Sequence, residues 1–120
     1  PKAIGLLLHS YSLMYKRSPS KEIKSQLEFF FDWLKENRTK GYKHCCWGYN
    51  FDWASSVKLL PAYSPTIVVS GFIAKGMIAY YEALNNPKAL EVLKSIGQFI
   101  EEDLAQSEDE SGICFSYSTI

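Results

Sequence analysis

Two stretches of this chain, Ala3 to Tyr15 and Ile67 to Tyr81, are apolar around nearly the whole circumference of a helical wheel, and each is followed by a stretch apolar along one stripe only. This alternation constrains the fold more than any other feature, because a helix apolar on all sides must be covered on several sides, whereas its successor can leave one face in water. The first stretch carries Ile4, Leu6, Leu7, Leu8, Tyr11, Leu13 and Met14; its successor carries Ile23, Leu27, Phe30, Phe31 and Leu34 at three- and four-residue steps. The second carries Ile67, Val68, Val69, Phe72, Ile73, Met77, Ile78 and Tyr80, and its successor Leu90, Leu93, Ile96, Phe99, Ile100 and Leu104. The spacing predicts an all-α fold of two helical hairpins in which inner apolar and outer amphipathic helices alternate.

The punctuation agrees with four helices. Ser18-Pro19 and Ser64-Pro65 read as an N-cap with proline at the first helical position, Asn85-Asn86-Pro87 reads as a tight reversal, and Gly41 can end the second helix. Gly71 and Gly76 each cost about 1 kcal/mol against alanine inside a helix, which points to close approach of a neighbouring helix or of a ligand, with packing the favoured reading. Ser107 to Glu110 reads as a solvated helix end and loop. The chain divides into residues 1–53, a first hairpin plus aromatic loop, and residues 54–120, a connecting loop, second hairpin and terminal aromatic segment, forming one domain or a fragment of a larger one.

An internal repeat runs through both halves. Cys46-Trp47-Gly48-Tyr49 and Cys114-Phe115-Ser116-Tyr117 share the order cysteine, large aromatic, small residue, tyrosine at an offset of 68, while the helix faces align at 66, with Leu27 over Leu93 and Leu34 over Ile100. Each unit therefore reads buried helix, short turn, amphipathic helix, long aromatic loop, which is the signature of stacked supersecondary units. Short turns at one end place both long loops at the other, beside the N-termini of the inner helices, whose free N–H groups suit anionic or polyhydroxylated ligands.

Aromatic residues make up 15% of the chain and concentrate in the ten residues His44 to Trp53. Trp47, Tyr49, Phe51 and Trp53, joined by Phe115 and Tyr117 of the second loop, are the candidate substrate-binding residues, because flat aromatic faces match the apolar C–H faces of sugar rings. Asp52 is the candidate catalytic acid or base, with loop-capping acceptance of a backbone N–H as its structural alternative. Glycosidases commonly set two carboxylates across the scissile bond, and this loop holds one.

Lysine plus arginine equal aspartate plus glutamate at thirteen each, which gives no electrostatic reason to expect nucleic acid. No apolar run approaches the roughly 20 residues of a membrane span. Three cysteines, two of them adjacent, form no disulfide framework and lack paired zinc spacing, so they read as reduced, buried thiols of a cytoplasmic protein with no metal and no cofactor. The start at Pro1-Lys2-Ala3-Ile4 reads as a boundary within a longer gene.

The run Cys46 to Trp53, with Ser64-Pro65-Thr66-Ile67-Val68-Val69-Ser70-Gly71-Phe72, Tyr81-Glu82-Ala83-Leu84 and Cys114-Phe115-Ser116-Tyr117, resembles the (α/α) toroid proteins related to six-hairpin glycosidases. In particular, it is similar to an uncharacterised branch found with polysaccharide-synthesis genes. The resemblance implies a carbohydrate-directed role, glycan processing or glycan binding, and a ring of five to seven hairpins. Only two hairpins lie here, so a homo-oligomer or the remainder of a longer chain is expected to close the ring. Two other readings stay open: a structural module whose aromatic loop docks a partner chain, and, more remotely, an isoprenoid-type enzyme, for which aspartate-rich diphosphate signatures are absent.

Overall fold

The side-chain caps place the helices. The computed structural model describes residues 1–120, and in it α1 spans Lys2–Arg17, α2 Lys21–Glu36, α3 Ile67–Leu84 and α4 Pro87–Gln98. The N-caps of α2 and α3 are Ser20 and Thr66, two residues after the serines expected from sequence, because their hydroxyls accept the N–H groups of Ile23 and Val69 at 3.1 Å. Pro19 and Pro65 therefore precede the cap rather than occupy the first helical position. At α4 the expectation matches: Asn86 accepts from Lys88 N–H at 3.0 Å and Pro87 opens the helix.

The all-α expectation is overturned. Besides the helices there are two antiparallel two-stranded sheets, β1 (Trp53–Ala54) with β2 (Leu59–Leu60) and β3 (Gln106–Asp109) with β4 (Gly112–Phe115), and a π-helical turn, Phe99–Asp103, that continues α4. The physical reason is that the long connections leave backbone groups with no helix to satisfy them, and short hairpins do so locally. The acidic run expected as open loop thus becomes part of β3. Asp109 closes the β3–β4 turn by accepting from Ser111 N–H at 2.8 Å, and Gly112 supplies the positive φ of 139° that the turn uses.

The helices form two antiparallel hairpins, and α1 and α3 run parallel side by side. Contacts advance together along both: Lys2 lies over the Phe72 ring, Gly5 meets Ile73, and Lys16 pairs with Glu82 at 3.5 Å. Gly76 explains itself here, since a Cβ on it would lie 2.6 Å from the Gly5 carbonyl oxygen, whereas a Cβ on Gly71 would meet nothing within 4 Å. The main core gathers Leu8, Leu27, Phe31, Leu34, Trp47, Ile73, Met77 and Ile96, with Phe31 stacked on Tyr80 at 4.8 Å. A second, smaller core of Cys46, Phe99 and Leu104 lies under the long loop and the π-helical turn.

The inner helices are less covered than their sequences predict. In α1 only Gly5, Leu8 and Ser12 are buried, while Leu7 is 39%, Leu13 55% and Met14 50% exposed, because one neighbour, α3, and its hairpin partner α2 are all that pack on it. The 18-residue α3 is long and apolar enough to cross a membrane by length and composition alone, although the sequence interrupts it with glycine, serine and lysine. Here it is the central core helix, packed between α1 and α4.

Candidate functional site

Trp47 is the anchor of the aromatic loop. Its backbone N–H donates to Ser70 Oγ at 3.0 Å, its carbonyl accepts from Thr66 N–H at 3.0 Å, and its indole N–H donates to the Leu34 carbonyl at 2.8 Å. That one residue therefore joins the last turn of α2, whose carbonyls lack helical partners, to the first turn of α3. Its ring is fully buried, so it offers no face to a ligand, which corrects its place among the expected substrate-binding residues. Gly48 follows, with backbone so close to residues 63 and 64 that a Cβ would fall 1.9 Å from the Ser64 carbonyl oxygen.

The thiols and His44 serve the same anchoring. Cys45 N–H donates to Ser95 Oγ at 2.7 Å, and Arg38 donates to Cys45 Sγ at 3.2 Å and to the Tyr42 carbonyl at 2.9 Å. His44, buried, sits with Nε2 2.6 Å from Glu102 Oε2 on the π-helical turn. Ser70 and Ser95, which pin this ribbon, escaped the sequence reading; the signal was a serine within an apolar helix face.

All three cysteines are free. Burial pushes the Cys46 thiol up to about 12, the first of its causes, so it is protonated in the folded protein at neutral pH. The linkage has a definite sign: an unfolded thiol ionises near 9.0, so this contribution to stability is complete below that pH and is lost as pH rises from there through about 12. Thermal melts are expected to fall steadily over that window, and Cys46→Ala is expected to flatten the fall. An unchanged slope in the variant would exclude this thiol as a source of the alkaline sensitivity.

Beyond Gly48 the loop turns outward, from the half-buried Tyr49, which still packs against the main core, to the exposed Phe51 and Trp53. Tyr49 and Phe51 stack at 5.1 Å with 28° between planes, and Trp53 lies 6.2 Å from Tyr117. The Tyr117 phenol is pushed up, first by burial and then by the Tyr49 phenol beside it, which links the two pairs. The result is a continuous ledge in the order Phe51, Tyr49, Tyr117, Trp53. The C-terminal segment delivers Tyr117 there: its carbonyl accepts from Ile67 N–H at 2.9 Å, and Ser118 Oγ donates to the Pro65 carbonyl at 2.7 Å. The N–H groups of Ile67 and Val69 at the start of α3 are thereby satisfied within the chain rather than left free for a ligand.

Phe115 departs from this set. It is half-buried on β4 and packs against the small core of Cys46, Phe99 and Leu104. Asp52 is exposed and accepts the Ala62 N–H through Oδ1 at 2.7 Å, so it holds the loop across β1 and β2 and leaves its other oxygen available. Glu82, paired with Lys16 near the opposite end of α3, supplies no second carboxylate here.

The larger surface cavities do not coincide with the ledge. The most voluminous, about 540 Å³, opens between the end of α2 and residues 62–65, lined by Arg38, Thr39, Tyr42, Tyr63 and Pro65 among others. Tyr63 connects the two places, since its N–H donates to the Tyr49 carbonyl at 2.6 Å and its backbone takes a positive φ of 65°. Sequence reasoning passed over this cavity because its polar residues follow no motif.

No protein-family model matches this chain, and no curated protein matches its sequence. Among solved structures it is similar to a crystal structure of a sugar epimerase from a ruminal bacterium, with a TM-score of 0.67 at 15% sequence identity. The match covers 97% of this chain and 28% of the epimerase chain, so this chain spans little more than a quarter of that protein's length. At that identity the likeness is one of fold.

Proposed function

We propose that the ledge of Tyr49, Phe51, Trp53 and Tyr117 is a carbohydrate-binding surface, and that the chain is a section of a longer carbohydrate-directed protein related to the six-hairpin glycosidases. The observation that carries this reading is the ledge itself: aromatic rings, with Phe51 53% and Trp53 37% exposed, held on a loop whose base is pinned by buried hydrogen bonds. Such a surface is preorganised, so little ordering entropy is lost when a flat ligand stacks on it. The tyrosine phenols present both donor and acceptor to ring hydroxyls. The fold likeness to a sugar epimerase supports the same substrate class.

Within this reading Asp52 offers its free oxygen to a ligand hydroxyl, while Oδ1 keeps the loop in place. A catalytic role for Asp52 calls for a second acid or base supplied from outside the aromatic loop. Free thiols at Cys45, Cys46 and Cys114 suit a reducing, cytoplasmic setting.

The test is a titration of the chain with a panel of oligosaccharides, followed by calorimetry. Trp53→Ala is expected to weaken binding by about 1 to 3 kcal/mol, the range seen for flat ligands on aromatic side chains, with unchanged thermal stability. Equal affinity in parent and variant, or no binding by any sugar of the panel, would remove the ledge as a glycan site and favour its use as an anchor for a partner chain.

A further inference from the structure

A hollow of about 270 Å³ opens between α2 and the start of α4, over the last turns of α3, at the opposite end of that helix from the aromatic loop. Every residue that lines it belongs to these three helices or to the turn joining the last two, so its walls lie wholly within this chain.

The floor of the hollow holds a buried donor that the chain does not use. Tyr80 is 1% exposed, its ring is stacked on Phe31, and its phenol oxygen accepts from Asn86 Nδ2 at 3.2 Å. Asn86 is fixed in turn, because its Oδ1 caps α4 by accepting the Lys88 N–H at 3.0 Å. No group of the chain accepts the Tyr80 proton, whereas a buried tyrosine hydroxyl ordinarily finds a partner for it. Burial, the largest cause, pushes this phenol up, and the carboxylates of Glu28 and Asp32 add to the rise, so the oxygen keeps its proton and remains a donor at neutral pH.

The charges around that hydroxyl select its ligand. A group set against the Tyr80 O–H must accept its proton while facing Glu28 and Asp32, which only accept. An anion is repelled by the carboxylates, and an ammonium has no lone pair for the phenol proton. A neutral hydroxyl does both, accepting from Tyr80 and donating to a carboxylate. The ammonium groups of Lys24, Lys35 and Lys88 share the walls, so a ligand of either sign meets like charge, whereas the oxygens of a polyol match both signs. Pockets for drug-sized ligands run from about 300 Å³ upward, so this smaller hollow suits a single ring.

We propose that the hollow is a binding site for a neutral, polyhydroxylated ligand of one-ring size, a monosaccharide or cyclic polyol, one hydroxyl of which bridges Tyr80 to Glu28 or Asp32. The ligand is held by hydrogen bonds at its rim rather than by stacking, since Phe31 is 2% exposed and offers no face. The site is separate from the ledge and does not depend on what the ledge binds.

The experiment is a titration of the chain with myo-inositol and a panel of free hexoses, read by backbone amide shifts in nuclear magnetic resonance spectra, with inorganic phosphate as the anionic probe. At least one neutral probe is expected to shift the amides of Tyr80, Asn86 and Lys88 saturably, and phosphate is not. Tyr80→Phe, which keeps the ring and its stack and removes only the hydroxyl, is expected to weaken that binding about tenfold. The double variant Glu28→Ala with Asp32→Ala, at exposed positions of α2, is expected to weaken it as well. The proposal is overturned if no neutral probe shifts these amides, if phosphate saturates them, or if folded Tyr80→Phe binds as the parent does. Should Tyr80→Phe fail to fold, the double variant decides, and parental affinity in it overturns the site. Shifts confined to residues 49–53 and Tyr117 overturn the hollow and leave the ledge reading standing.

Discussion

Gly48→Ala lowers the stability of this chain more than any other single methyl addition, by about 3 kcal/mol or more, and shifts the thermal midpoint down by roughly 10 °C or more. The new Cβ would lie 1.9 Å from the Ser64 carbonyl oxygen and 2.6 Å from its carbonyl carbon, with the backbone carbon of Tyr63 at 3.0 Å. None of these is the end of a flexible side chain, so relief requires the backbone of the loop to move. That movement pulls on bonds at both ends: the Tyr63 N–H to the Tyr49 carbonyl, and the Thr66 N–H to the Trp47 carbonyl. Gly71→Ala is the control, since it adds the same methyl into open space and is expected to be neutral or to raise monomer stability by up to about 1 kcal/mol. Equal melting temperatures for Gly48→Ala and the parent would show that the ribbon is not held against residues 63 and 64.

Trp47→Ala is expected to cost about 3 to 5 kcal/mol in a denaturant titration, the range for removal of a large aromatic from a core. The ring is fully buried in the main cluster, and its loss leaves both a cavity and an unpaired Leu34 carbonyl at the end of α2. Trp47→Phe separates the two effects, because it keeps most of the volume and loses the indole bond, for about 1 kcal/mol in that step. Trp53→Ala, on the ledge, is expected to leave the midpoint unchanged. If instead Trp47→Ala proves as benign as Trp53→Ala, the indole is not the joint between the hairpins. These expectations separate two tryptophans to which the sequence assigns one role: Trp47 builds the support, and Trp53 lies with Tyr49, Phe51 and Tyr117 at the surface.

The helices were legible because their signals are local. Apolar residues at three- and four-residue steps specify which side of α2 and α4 turns inward, and Asn86-Pro87 fixes the start of α4 without reference to the rest of the chain. Cap positions at Ser20 and Thr66 were missed by two residues, since Ser18-Pro19-Ser20 and Ser64-Pro65-Thr66 each offer two hydroxyls and only helix register selects the one that meets an N–H. The short sheets were not legible at all. Two residues of β1 pair with two of β2 across an eight-residue span, too brief for an alternating pattern to register.

The ten-residue stretch from His44 to Trp53 stood out by composition, but composition could not sort its members. Trp47 and Trp53 differ in burial because the ribbon passes beneath α3 at one and leaves it at the other, and the serines that hold it, Ser70 and Ser95, lie 23 and 50 positions away from their partners. Asp52 likewise took its place only when the fold brought Ala62 N–H within 2.7 Å.

The sequence by itself therefore determined the four helices, the order of the hairpins and the loop that carries the aromatics, all set by signals within one or two turns, whereas the covering of α1 on all sides that its apolar circumference predicts is not met. The tertiary structure alone decided which aromatics are support and which are surface, and that Tyr117 joins the ledge while Phe115 joins a core. It also decided that Gly76 is a packing glycine while Gly71 faces open space. Those distinctions depend on distances between segments far apart in the chain, and a side chain's burial is fixed by what the rest of the fold brings against it.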